Sequence, residues 1–294
     1  MRYLILSIFI LVFGNPIYSQ DTTLENNIKS LIKGKKATVG VSVIYDSKEA
    51  LKINDHYRYP TMSVYKFHLA LAVLDHLYKN KISLDSKILI KKSDLLPNTY
   101  SPLREKHPNG NIKLSIAELL EYSVSKSDNN ACDILFRYLG GTKPVEKYIK
   151  SLGIEDITIT ATEEVMHQNH ENQYLNWSTP YSTVQLLGMF LQEDLFGKEY
   201  RDFLKKIMVE TTTGKDKIKG LLPENIIVGH KTGSSFRNEF GIKIAENDMG
   251  FVTLPNGKQY SVAIFVINSM EDDKTNSLII AEISKAIYDY YIHK

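Results

Sequence analysis

The sequence predicts an α/β (α+β) fold, in which an antiparallel sheet is flanked by terminal helices and carries an all-helical lobe as an insertion. Three observations lead there. Strand-period segments stand near both ends of the chain, helix-period segments fill its middle, and one long amphipathic helix closes it. A sheet built from both termini divides the chain into an α/β lobe of residues 21–61 and 211–294 and a helical lobe of residues 62–210. No repeat, low-complexity tract or linker separates the two, so they are expected to share one interface within a single domain.

The elements follow in order. Arg2, an apolar run from Leu4 to Phe13 and a break at Gly14, Asn15 and Pro16 read as a secretory signal peptide over about residues 1–20. The run is too short to span a bilayer, and no cysteine near the break offers a lipid anchor. Residues 37–45 alternate with β-branched types and read as a strand. From Ser63 to Tyr78, apolar residues lie nearly all round a helix, which marks it as buried. Helical patterns follow over 115–124, 130–139 and 143–151. An irregular stretch from Thr162 to Trp177 comes next, then helices over 178–192, with proline in the first turn, and 198–209. Residues 225–231, 241–254 and 259–268 read as strands, with a hairpin turn at 255–258, and a helix over 275–291 ends the chain.

Composition narrows the function classes. With 36 Lys+Arg against 34 Asp+Glu, the formal charge is +2 and the basic residues are dispersed, so nucleic acid and anionic lipid are not expected partners. The chain has one cysteine, Cys132, inside an apolar helical pattern, so no intramolecular disulfide can form and stability must come from packing.

Four segments carry chemistry. In Ser63–Val64–Tyr65–Lys66 the hydroxyl and ammonium are three residues apart, on one face of a helix. A serine needs a base to become a nucleophile, and a buried lysine can serve. In Ser127–Asp128–Asn129, read as an extended loop, the first and third side chains face a cleft and Asp128 turns inward. A helix N-cap explains the same three residue types equally well. Lys231–Thr232–Gly233–Ser234–Ser235 puts a cation and hydroxyls at a strand end, beside a glycine that allows close approach, and suits a carboxylate-bearing substrate. Glu163, in the irregular stretch, can position a water, although an ordinary exposed loop glutamate would look the same.

Ser-x-x-Lys, Ser-Asp-Asn and Lys-Thr-Gly in this order resemble the class A serine β-lactamases, across essentially the whole mature length. Tyr100–Ser101–Pro102 resembles that family's substrate-lining tyrosine segment. The resemblance implies the serine β-lactamase/D,D-peptidase-like fold as one catalytic domain, hydrolysis of penicillins and cephalosporins, and resistance to those antibiotics. It also implies a small β-lactam as partner, with no cofactor and no metal. The leader-like start of the chain makes a secreted, periplasmic protein without a membrane anchor the expectation, and a monomer is the default. By the same resemblance Ser63 is acylated, Lys66 assists, Ser127 passes a proton to the β-lactam nitrogen, and Glu163 activates the deacylating water. Whether Lys66 or Glu163 is the acylation base is left open. The N–H groups of Ser63 and Ser234 would hold the oxyanion. Tyr100 and Asn129 would line and grip the substrate, and Lys231, Thr232 and Ser234 would bind its carboxylate.

The chain also departs from the common pattern. His167 stands where an asparagine often shares the catalytic water, and Asp133 stands six residues after Ser127 where asparagine is frequent. Both departures resemble a subgroup with a rearranged loop and activity extending to oxyimino-cephalosporins. Glu164 is an adjacent rival to Glu163, and Lys217 and Arg237 both remain candidates for a missing carboxylate-binding arginine. His167, His170 and Glu171 fit no common zinc spacing. Met62 precedes Ser63, so the disulfide of some carbapenem-hydrolysing relatives is absent and carbapenems are less expected substrates. The alternatives are a penicillin-binding D,D-peptidase and a non-hydrolytic β-lactam sensor, either of which would keep its acyl group.

Overall fold

Period-2 alternation of apolar residues gives the long strands two different faces, and the fold covers both. The computed structural model describes residues 22–294 apart from 47 and 193, so the leader expected over residues 1–20 lies outside the described residues. In chain order the helices are α1 (Thr22–Ile32), α2 (Tyr65–Asn80), α3 (Pro102–Lys106), α4 (Ile116–Ser125), α5 (Asn129–Tyr138), α6 (Thr142–Ser151), α7 (Glu163–Gln168), α8 (Pro180–Gln192), α9 (Lys198–Val209) and α10 (Asp273–Tyr291). The strands are β1 (Thr38–Tyr45), β2 (Lys48–Ile53), β3 (Tyr59–Pro60), β4 (Lys87–Ile90), β5 (Ile112–Ser115), β6 (Ile157–Thr158), β7 (Trp177–Ser178), β8 (Ile227–Ser234), β9 (Lys243–Thr253) and β10 (Gln259–Ser269).

The main sheet runs β2-β1-β10-β9-β8. Its pairings are antiparallel, and the register sets Val41 opposite Ile264 and Lys231 opposite Met249. Strands from both ends of the chain therefore meet side by side, as the element order predicts. On one face Val39, Val41, Val43, Val262 and Ile264 pack with Leu24 and Ile28 of α1 and Ile280, Ile283 and Ile287 of α10. On the other, Met249, Ala263 and Phe265 join the core of the helical region. Strand β2 escapes the sequence reading because Lys-Glu-Ala-Leu-Lys-Ile lacks a β-branched run; pairing with β1 decides its state.

Helix α2 is the buried axis that its composition predicts. Phe67, Leu69, Ala70, Leu71, Val73, Leu74 and Leu77 are fully buried, each large side chain contributing about 1.5–3 kcal/mol of transfer free energy. The same burial pushes His68 down to about 4, so it stays neutral within the core. Among the described residues, no helix is long and apolar enough to cross a membrane.

Two local expectations need correction. The stretch 162–177 is not irregular throughout: it contains α7, capped by the Thr162 side chain accepting from Val165 N–H, and a 3₁₀ turn at Glu171–Tyr174. Ser127 is not extended. It takes a left-handed φ of 56°, and Asp128 is the N-cap of α5, so Asn129 is already helical.

Candidate active site

The site begins where the helical core meets the sheet. A 3₁₀ turn at Met62–Val64 precedes α2 and puts Ser63, half-buried, at the positive end of that helix. Met62 holds a left-handed φ of 46°, a strained state for a side chain of its size, so its surroundings must fix it. They do: Thr61 N–H donates to Asn176 O at 3.0 Å, and Asn247 Nδ2 donates to Pro60 O at 2.8 Å. Strand β8 presses against the same turn. A Cβ on Gly233 would lie 2.4 Å from Thr61 O and 3.1 Å from Ser63 N, so glycine is required for this approach.

Lys66 follows one turn later, fully buried. Its Nζ donates to Ser127 O at 2.8 Å and to Asn129 Oδ1 at 2.5 Å. Glu163 Oε1 lies 3.1 Å from the same nitrogen, close enough for charge contact though not aligned as a hydrogen bond. The 127–129 segment is held by Asp128. Its carboxylate accepts from Ala131 N–H at 2.8 Å, Leu103 N–H at 2.6 Å and the Ser101 hydroxyl at 2.9 Å. Burial nevertheless raises the Asp128 carboxyl above the usual range. Both sequence readings of Asp128 thus hold together, since it caps α5 and also turns inward to fix the loop.

From the sheet, Lys231 Nζ donates to Ser127 Oγ at 2.9 Å and to Thr232 O at 2.8 Å. Full burial, with Lys66 as a second cation nearby, pushes the Lys231 ammonium well below its ordinary range. An ammonium only donates, so Ser127 Oγ accepts from Lys231 and keeps its own proton free for a group in the cavity.

Glu163 is buried and Glu164 beside it is exposed. Asp133 sets this register: its two carboxylate oxygens accept from Glu163 N–H at 2.8 Å and Glu164 N–H at 2.9 Å. Burial, then the nearby Glu163, push the Asp133 carboxyl up to about 6. His167 faces Thr99, with Nε2 3.3 Å from Thr99 Oγ1. Among the described residues, no group of three His, Cys, Asp or Glu is arranged to hold a metal ion.

These groups line a cavity of about 730 Å³, which includes Ser63, Tyr100, Ser127, Asn129, Glu163, Thr232 and Ser234. Lys66 and Lys231 reach it from behind, through Ser127. Lys217 also lines it, whereas Arg237 turns toward α10 and pairs with Asp273 at 2.7 Å. Sequence reasoning missed Glu246, a buried carboxylate on β9 that contacts Lys217, accepts from Ser234 Oγ at 2.8 Å and lies 3.0 Å from Lys243. It missed the wall residues Thr213 and Gly214 as well. No local spacing marks any of the three; only the β8–β9 register and the fold of the 211–220 segment bring them here.

The profile of the Beta-lactamase enzyme family matches residues 23–291 of the chain. A β-lactamase of Bacteroides uniformis is 49% identical over 286 residues, covering 97% of this chain and 97% of that protein. The crystal structure of a class A β-lactamase representative from Bacteroides cellulosilyticus DSM 14838 superposes with a TM-score of 0.91 at 53% identity, covering 93% of this chain and 98% of the other. The crystal structure of the TLA-1 extended-spectrum β-lactamase gives a TM-score of 0.91 at 51% identity, covering 93% and 99%.

Proposed function

Because the chain belongs to the class A β-lactamases and hydrolyses β-lactam rings, we propose that it does so through an ester on Ser63 that Glu163 helps to hydrolyse. The observation that carries this reading is the buried contact linking Lys66, Ser127, Asn129 and Glu163 beside the half-buried Ser63.

The steps follow from the donors and acceptors. Ser63 Oγ attacks the lactam carbonyl while its proton leaves. Lys66 already donates two of its N–H groups to Ser127 O and Asn129 Oδ1. That supports Glu163, through a water, as the acceptor of the Ser63 proton. The oxyanion is held by the N–H groups of Ser63 and Ser234, typically about 3–4 kcal/mol per donor. Ser127 gives its proton to the ring nitrogen as the C–N bond breaks, with Lys231 bonded to its oxygen, and the proton that Glu163 accepted passes back through Lys66 to Ser127, leaving Glu163 ionised. Glu163 then takes a proton from water as that water attacks the ester carbonyl, and passes it to Ser63 Oγ as the ester C–O bond breaks, releasing the acid product and restoring both Ser63 and the Glu163 carboxylate. Tyr100 and Asn129 contact the acyl side, while Lys231, Thr232, Ser234 and Lys217 receive the substrate carboxylate. The scheme uses no metal or cofactor.

Likeness to an extended-spectrum enzyme, together with Asp133 on α5 and His167 on α7, supports oxyimino-cephalosporins as substrates. We also assign residues 1–20 to a leader removed on export to the periplasm, which the N-terminal residue of the exported protein checks. The enzyme acts as a monomer with an α/β lobe of 21–61 and 211–294 around a helical lobe of 62–210, and light scattering on purified protein tests the first of these.

The direct test of function is turnover of a chromogenic and an oxyimino cephalosporin, followed by intact mass. Many turnovers, with the mass returning to that of free protein, are expected. A single burst with a lasting adduct would mean a D,D-peptidase or a sensor.

A further inference from the structure

Behind the substrate-carboxylate end of the cavity, on the opposite face of the sheet from Lys231, lies a buried pair that the scheme above does not use. His230 and Asp248 have no exposed side-chain surface. Nδ1 of His230 is 3.1 Å and 2.9 Å from the two oxygens of Asp248. Nε2 is buried and without a hydrogen-bond partner. The sheet makes room for the ring, because Gly250 stands opposite it and a Cβ there would lie 2.8 Å from His230 Cβ.

Asp248 reaches out of the sheet to the cavity wall. Its Oδ2 accepts from Ile218 N–H at 3.1 Å, directly after Lys217. The wall is tied to β8 at two further points: Thr211 Oγ1 donates to His230 O at 2.8 Å, and Thr213 and Thr232 share a hydroxyl contact of 2.8 Å. A buried carboxylate with a free rotor would hold Ile218 poorly. A ring N–H on its other side fixes the plane in which it accepts.

We propose that His230 is a positioning residue: by donating from Nδ1 to Asp248 it orients the carboxylate that anchors the 211–218 wall, and so places Lys217 for the carboxylate of the substrate. The role rests on the reading that Lys217 receives that carboxylate. Lys217 also contacts Glu246 from β9 and lines the same cavity as Glu163, with Lys66 and Lys231 close behind, so the wall sits in a dense field where small displacements matter.

Asparagine and glutamine separate a positioning role from a filling role. The amide nitrogen of Asn stands near the place of Nδ1, and that of Gln near the place of Nε2. The experiment measures kcat and KM for a chromogenic cephalosporin in Lys217→Ala, His230→Asn, His230→Gln and the Lys217→Ala/His230→Gln double variant, with thermal unfolding as a check on folding. His230→Gln is expected to raise KM about tenfold with kcat within about twofold, and His230→Asn to keep KM within about twofold of wild type. The double variant should show the KM of Lys217→Ala, because both act through one ammonium. Equal KM for the Asn and Gln variants, or effects that multiply in the double variant, would overturn the proposal while leaving the site reading intact. An unchanged KM in Lys217→Ala would overturn the site reading, and this role with it.

Discussion

Asp133 shows how one side chain can set the register of the segment that carries Glu163. Its carboxylate holds two successive N–H groups, so Glu163 faces inward and Glu164 faces water. Its folded value of about 6 stands above the ordinary 3.8, so the folded chain binds the proton more tightly than the unfolded chain does. The contribution is therefore fully present below about pH 3.8 and is lost as pH rises through about 6. The difference in Tm between wild type and Asp133→Asn should accordingly shrink from pH 4 to pH 6.5 and stay level above that; a difference that grows with pH would contradict the assignment. At this scale Ser63, Lys66, Ser127 and Lys231 could be singled out because three short motifs standing in this order resemble those of the family, although only Ser63 and Lys66 lie along one helical stretch whose spacing sets them on one face. Glu246 was not, because its contacts with Lys217 and Ser234 exist only after β8 and β9 have paired.

The elements matter most where β8 crosses the turn ahead of α2. Gly233 lets the strand approach within contact of Thr61 O and Ser63 N, which are backbone atoms and cannot swing away. Gly233→Ala should lower stability by about 1–3 kcal/mol in urea unfolding, the usual cost of overpacking, and reduce hydrolysis more than that loss explains. Wild-type turnover in the variant would show that the approach is looser than described. The long helices were legible from their period, and α2 from its apolar surface on every side. Helix α7 was not, since six residues carry little periodic signal and tertiary partners hold it. Asp133 accepts at its start, while Asn176 accepts from Thr160 and Ala161 N–H just before it, at 2.8 and 2.9 Å.

At the scale of the molecule, one sheet serves two cores. Helices α1 and α10 cover one face, and the helical region covers the other, so neither core closes without the strands from both ends of the chain. Trp177, the only tryptophan, sits on β7 and pairs with Pro60 beside the turn that carries Ser63. Its fluorescence and far-UV circular dichroism should report the same unfolding midpoint, whereas two separate transitions would mean that the site region melts independently of the sheet. The antiparallel sheet from both termini was legible because strand-period segments flank the helical middle. The two-residue strands β3, β6 and β7 are too short to show a period, yet they fix the turn that carries Ser63.

The central claim is that Glu163 hydrolyses an ester formed on Ser63. Intact mass of Glu163→Gln and Glu164→Gln, mixed with a cephalosporin and digested to locate the adduct, tests it most directly. A lasting mass increase on the Ser63 peptide in Glu163→Gln, with none in Glu164→Gln, is the predicted result. Persistence in Glu164→Gln instead, or an adduct on a residue other than Ser63, would contradict the account.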